Sequence, residues 1–309
     1  MKFAHISDLH INTYFRDSNL EQTKILLDYF NSVKVDHLLL TGDLTDNADE
    51  LNLDILRKSL NHYGFKSGEK ISIIPGNHDI YGGVQKPEDL FSFPERCRKT
   101  NYDKKLQTFN QIMNQTFDNV LYRSSINGYP YAKIIGDVLI IGVDSNDYFS
   151  PVSNPFASNG KVSKDEQKEI EIIVSKYGRD VNLTIMLIHH HFNQMHTINH
   201  FSAAGLWQNI EKQTMKLRKK KSLIELFKNC RVDLVLHGHL HETLHYVRQN
   251  INFLNAGGSI KNNLRNSITC NIIDTENNNV NFQIIEIPLA DRQFEDFDSI
   301  ISAESLVNK

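Results

Sequence analysis

Five short apolar runs, each followed by a side chain able to bind a cation, constrain this chain more than any other feature. Phe3–Ile6 leads to Asp8-Leu9-His10, Leu38–Leu40 to Gly42-Asp43, and Ile71–Pro75 to Gly76-Asn77-His78-Asp79. Ile185–Ile188 leads to His189-His190-His191, and Val232–Leu236 to His237-Gly238-His239-Leu240-His241. Runs this short, rich in β-branched residues and leucine, predict buried strands. Ligands of open α/β sheets gather beyond the carboxyl ends of strands. In an extended segment residues i and i+2 face the same way. Asp8 with His10, and His239 with His241, are therefore expected to aim two donors each into one pocket. Gly42, Gly76 and Gly238 permit the sharp turns that leave a strand.

Helical spacing runs through Leu20–Ser32, Leu51–Tyr63, Lys104–Phe117, Ser163–Tyr177 and Gln208–Phe227. Alternation of these with the strands predicts an α/β protein. Two hairpins are expected, Tyr131–Ile135 with Val138–Val143 around Gly136-Asp137, and Ser267–Asp274 with Val280–Ile287 around Glu276-Asn277-Asn278-Asn279. The sheets are then mixed. Residues 1–290 read as one domain, with insertions at 81–127 and 192–209 and a weakly patterned, acidic tail at 291–309.

Hydrophobic residues at 40% and charged residues at 23% of the 309 exclude a disordered tail, a collagen and a coiled coil. No apolar run reaches the ~18 residues of a membrane span, and the first residues lack the apolar stretch of a secretory leader. The net charge of −3 provides no basic field, so a nucleic acid is a disfavoured partner. Cys97, Cys230 and Cys270 suit neither a disulfide framework nor a thiolate zinc site, and the expectation is a cytoplasmic protein. Of the 14 histidines, nine lie between His189 and His245.

Taken together, the five strand-end motifs resemble the calcineurin-like metallophosphoesterase superfamily, from Met1 to about Gly258. The resemblance implies a four-layer α/β/β/α sandwich with two mixed β-sheets and a site for two metal ions. It implies that Asp8, His10 and His241 hold one ion, that Asn77, His189 and His239 hold the other, and that Asp43 bridges both. His78 would reach the scissile phosphate without binding metal. Relatives often read His-His-Pro where this chain reads His189-His190-His191, so the ligand is assigned to His189 with His190 as the alternative. Asp144-Ser145 resembles a supporting position.

These residue types suit phosphoester hydrolysis. Two cations ~3.5–4 Å apart clamp the attacking and leaving oxygens and bring a shared water to hydroxide near neutral pH. Imidazole, carboxylate and amide ligands favour Mn, Fe, Zn, Co or Ni over Mg or Ca. The expected activity is a phosphodiesterase acting on a small-molecule or nucleotide phosphoester, with Asp43 and His78 as catalytic groups. The alternatives are a nuclease, a phosphomonoesterase or protein phosphatase of the same superfamily, and a metal-binding scaffold without turnover. His5, His37 and His62 read as structural. His196 and His200 lie in an insertion and are candidates for substrate contact. Arg218-Lys219-Lys220-Lys221 reads as a solvated helix face, and Phe192, Phe201 and Trp207 read as packing residues.

Overall fold

Alternation along each strand decides which core its side chains join. In β1 (Lys2–Ile6), Phe3 turns to one side and Ala4 and Ile6 to the other. In β2 (His37–Leu40), Leu39 joins Phe3, while Leu38 and Leu40 join Ala4 and Ile6. A computed structural model describes residues 1–14, 17–84, 87–192, 215–260, 266–276 and 279–289. Outside the described residues lie His196, His200, Phe201 and Trp207 of the insertion at 192–209, residues 208–214 of one expected helix, and the tail.

The first sheet has the order β12-β11-β1-β2-β3. β1, β2 and β3 (Ile71–Ile73) are parallel, and β11 (Ser267–Glu276) lies antiparallel to both β1 and β12 (Asn279–Pro288). The second sheet has the order β4-β5-β6-β7-β8-β10-β9. Its centre, β6 (Val138–Gly142), β7 (Leu183–Leu187), β8 (Leu234–His237) and β10 (Ile251–Ala256), is parallel. β4 (Tyr122–Arg123), β5 (Tyr131–Ile135) and β9 (Thr243–Arg248) pair antiparallel at its margins. The sheets face each other across Phe3, Leu39 and Ile273 on one side and Ile185, Leu187, Leu234 and Leu236 on the other. Helices α1 (Asp17–Ser32) and α2 (Glu50–His62) cover the outer face of the first sheet through Leu26, Phe30, Leu56 and Leu60. On the second sheet, α6 (Lys164–Tyr177) and α7 (Lys220–Asn229) do the same through Ile170, Ile173, Leu223 and Phe227. This is the expected α/β/β/α order.

Both expected hairpins form, with Ile135 opposite Val138 and Glu276 opposite Asn279. A third, β9–β10, turns on Gln249 and Asn250, both left-handed. The stretch 81–127 is mostly helical. After α3 (Asn77–Ile80) it carries α4 (Phe93–Lys99) and α5 (Tyr102–Ile112), which bury Phe93, Cys97, Tyr102 and Leu106 against the inter-sheet core. The basic run is split: α7 begins at Lys220, and Arg218, ahead of it, pairs with Asp147 at 3.2 Å. Among the described residues no helix is long and apolar enough to cross a membrane.

A buried lysine ties the two sheets together. Lys133 on β5 donates to Gly68 O, Ile71 O and Thr116 O at 3.0, 3.1 and 2.6 Å. Lys133→Met keeps the length and strands three carbonyls. It is expected to destabilise the fold by roughly 2–4 kcal/mol, read from the urea midpoint at constant m-value. An unchanged midpoint would show that water replaces the ammonium without cost.

Candidate metal centre

The loops that leave β1, β2 and β3 in the first sheet and β7 and β8 in the second meet at one end of the sandwich. Asp8, His10, Asp43 and His239 have φ of 55, 45, 51 and 72°, the left-handed region that side chains other than glycine rarely occupy. The neighbourhood over-determines that conformation. Asp8 N, His10 N and Ile11 N donate in turn to Gly42 O, Asp43 O and Leu44 O at 3.0, 3.0 and 2.9 Å. His239 N donates to both Asp8 carboxylate oxygens, at 2.9 and 3.0 Å. Asp8 and His10 thus share a pocket through left-handed turns, not through the extended alternation expected from sequence. A Cβ on Gly238 would stand 2.1 Å from Asp8 Oδ2, and one on Gly76 2.2 Å from Asp43 Oδ1, so both glycines are needed for the close approach.

Among the described residues three groups of ligating atoms result. Asp8, His10 and His241 form one, Asp43, His189 and His239 the second, and His10, Asp46 and His78 the third. In the first, His10 Nε2 and His241 Nε2 are 3.1 Å apart, with Asp8 Oδ1 4.0 and 3.7 Å from them. In the second, Asp43 Oδ2, Asn77 Oδ1 and His239 Nδ1 each lie 3.2 Å from His189 Nε2. His189 Nδ1 is 2.7 Å from the Thr41 carbonyl, which accepts its proton and turns Nε2 toward the others. In the third, the Nδ1 atoms of His10 and His78 lie 3.5 and 3.4 Å from Asp46 Oδ1.

The donor set fits cations. Around His189 Nε2 stand a carboxylate oxygen, an amide oxygen and a second imidazole nitrogen, all atom types that ligate a divalent ion. Burial works against charge on His189, but Asp43 overrides it and raises the pKa to about 9. Burial would likewise raise Asp43, yet His189, His78 and His10 hold it well below the usual carboxylate range. A divalent ion supplies the same charge and accepts the lone pairs. The other nitrogen of His239, Nε2, is buried without a hydrogen bond.

His190, the alternative ligand, points elsewhere. Its Nδ1 meets Ser145 Oγ at 2.8 Å. Asp144 instead holds Asn146 and accepts from the Tyr102 hydroxyl, and burial pushes its pKa up to about 6. His5 and His37 have both ring nitrogens engaged, by Thr41 and Asn271 and by Glu69 and Ser72, and are structural.

Sequence reasoning missed Asp46 and Asp79. Burial would raise the Asp46 pKa, but the His10 and His78 imidazoles, 3.5 and 3.4 Å from its Oδ1, hold it far below the usual range. Its signal was its place in the Asp43 loop, three residues on. Asp79 accepts from Gly76 N, Leu44 N and Thr45 N at 2.9, 3.2 and 2.8 Å, and so locks the β2 and β3 loops together. It stands inside the Gly-Asn-His-Asp motif yet had no assigned role.

A family model described as calcineurin-like phosphoesterase matches residues 1–243. No curated protein matches the chain. Among solved structures, a purple acid phosphatase from yellow lupin (Lupinus luteus) seeds is similar at a TM-score of 0.55 and 13% identity, over 97% of this chain and 55% of that one. A Staphylococcus aureus protein provisionally assigned as a 5'-nucleotidase is similar at 0.52 and 11%, over 99% and 58%. A dimetal phosphatase from Danio rerio is similar at 0.50 and 9%, over 94% and 99%. The chain therefore spans little more than half the length of the first two. At these identities the likeness is one of fold.

Proposed function

The chain belongs to the calcineurin-like phosphoesterase family, and from that premise we propose that it is a phosphodiesterase working with two divalent metal ions at the strand-end pocket. The observation that carries this reading is the convergence of three potential ligand atoms within 3.2 Å of His189 Nε2, beside the Asp8–His10–His241 group. Asp8, His10 and His241 would hold one ion, Asn77, His189 and His239 the other, and Asp43 both. When bound, such a pair polarises the phosphoryl group and lowers the pKa of the attacking water. Mn, Fe, Zn, Co and Ni suit these ligands.

His78 supplies the remaining chemistry. Its side chain is 25% exposed, at the rim of the pocket. Asp46 holds Nδ1, so Nε2 is the nitrogen that donates to a phosphoryl or leaving-group oxygen. Burial opposes charge on the ring, and Asp43 and Asp46 raise its pKa to about 9 in the metal-free chain. Charge favours a diester. Two divalent ions bring about +4 and Asp8 and Asp43 return about −2, while Asp46 is balanced by the His78 imidazolium. The surplus, about +2 on these groups and less once the buried Asp79 carboxylate is counted, suits a diester monoanion better than a monoester dianion.

Residues 1–290 serve as one catalytic unit, since β10 and β11, beyond the family match, pair with β8 and β1 beneath the site. Cys97, Cys230 and Cys270 are buried and free, in keeping with a reducing cytoplasm.

The test is metal-stripped chain reloaded with Mn²⁺ and given bis(p-nitrophenyl) phosphate or p-nitrophenyl phosphate. Turnover of the diester that requires metal and has the higher kcat/KM is expected. Preference for the monoester would replace the reading with a phosphomonoesterase. Silence with every one of the five metals, despite about two bound ions, would replace it with a scaffold.

A further inference from the structure

The backbone at residue 83 decides where His78 stands. The imidazole is enclosed on three sides. Its Nδ1 is 3.4 Å from Asp46 Oδ1 and 3.3 Å from Asp46 O. The His10 ring meets it edge-on, with centroids 4.7 Å apart. Gly83 closes the third side, its N donating at 2.9 Å to the same Asp46 carbonyl. A Cβ there would stand 2.2 Å from His78 Cε1, 2.5 Å from Nδ1 and 3.3 Å from Nε2, so its three nearest atoms all belong to that ring.

Gly83 is not left-handed, unlike Gly82 at φ +73°. Alanine therefore suits its backbone, and the imidazole is the close obstacle to a side chain. The wall is also anchored from behind. The Arg96 guanidinium donates to Gly83 O and lies 4.6 Å from the centroid of the buried Phe93 ring. This joins Gly83 to α4, a segment outside the metal-ligand loops.

We propose that Gly83, tied to α4 by Arg96, is the positioning element that aims the His78 imidazole at the substrate. The proposal rests on the reading of His78 given above. A methyl group at 83 pushes the ring off Asp46, and a displacement of about 1 Å at a reacting group costs on the order of 10²-fold in rate.

The experiment uses the full chain loaded with Mn²⁺ and compares Gly83→Ala, His78→Ala and the double variant on bis(p-nitrophenyl) phosphate and on an alkyl phosphodiester, whose leaving oxygen needs a proton; the effects are read on whichever ester His78→Ala slows. Gly83→Ala is expected to lower kcat by roughly 10–100-fold, with KM, bound metal and melting temperature unchanged. In the His78→Ala background it should cost nothing more, because the ring it displaces is gone. Arg96→Ala should lower kcat in the same direction and Arg96→Lys restore part of it. On metal-free protein, Gly83→Ala should move the ¹⁵N resonances of the His78 ring. Full additivity of the two substitutions, or a Gly83→Ala variant with unchanged kcat and ring resonances, would overturn the positioning role. If His78→Ala itself left the rate intact, the role of His78 would fall first and the brace with it. That outcome is distinct from a harmful His78→Ala beside a harmless Gly83→Ala.

Discussion

Asp43→Asn is expected to abolish phosphoester turnover, to below roughly 10⁻³ of the parent rate, and to lower metal content. Losing one preorganised electrostatic group at a reacting centre costs about 10²–10³-fold. Asp43 should lie at or beyond the upper end, because its loss weakens the placing of the cations themselves. Oδ2 faces His189 Nε2 at 3.2 Å, while Oδ1 accepts from His78 N at 2.8 Å. Asparagine can keep the second contact through its own carbonyl, so the fold should survive. What disappears is the negative charge on which the His189, His78 and His10 rings converge. The measurements are kcat/KM on the diester, metal per chain by elemental analysis, and a thermal melt as the folding control. A folded variant with full turnover would remove Asp43 from the mechanism.

His78→Ala is expected to behave differently, keeping about two ions and losing roughly 10²–10⁴ in kcat. His78 sits in a group with Asp46 and His10, not with Asp43, His189 and His239. Its removal therefore leaves the proposed ligands in place, although Asp46 loses one of its two imidazole partners. The leaving group divides the two roles open to the ring. If it protonates the leaving oxygen, an alkyl ester should suffer far more than a p-nitrophenyl ester, whose anion departs unaided. If it only stabilises charge on the phosphoryl oxygens, both esters should suffer alike. Loss of metal from this variant would show that His78 is a ligand, and unchanged turnover would show that it is a bystander.

Much of the site was legible in the chain because its chemistry is local. Each strand reveals itself by a short apolar run, and the polar residue just past it inherits a place at the sheet's end. That logic picked out the five motifs that carry Asp8, His10, Asp43, Asn77, His189, His239 and His241, and the resemblance to the family singled these residues out within them. It was silent on Tyr102, whose hydroxyl reaches Asp144 across 42 residues, because a helical tyrosine carries no periodic sign of its partner. It also misjudged how Asp8 and His10 come together. An extended alternation was expected, whereas both residues turn left-handed, held by bonds to the next loop.

What the sequence determined by itself is the α/β class, the strands that lead to the five motifs and the two hairpins it marked, and the kinds of donor at each strand end, since period, turn chemistry and ligand type are properties of a few consecutive residues; β4, β9 and β10 were not among the strands it marked. Which of His189 and His190 faces Asp43 is decided only by tertiary structure. Neighbouring residues past a strand point to different sides, and only the Thr41 carbonyl and Ser145 hydroxyl show which ring faces Asp43. The same holds for the meeting of His10 with His241, 231 residues apart and carried by different sheets. It holds too for Asp46, whose carboxylate faces two rings from other loops. Such contacts depend on how two sheets pack face to face, and that is settled by the sum of their buried side chains rather than by any one segment.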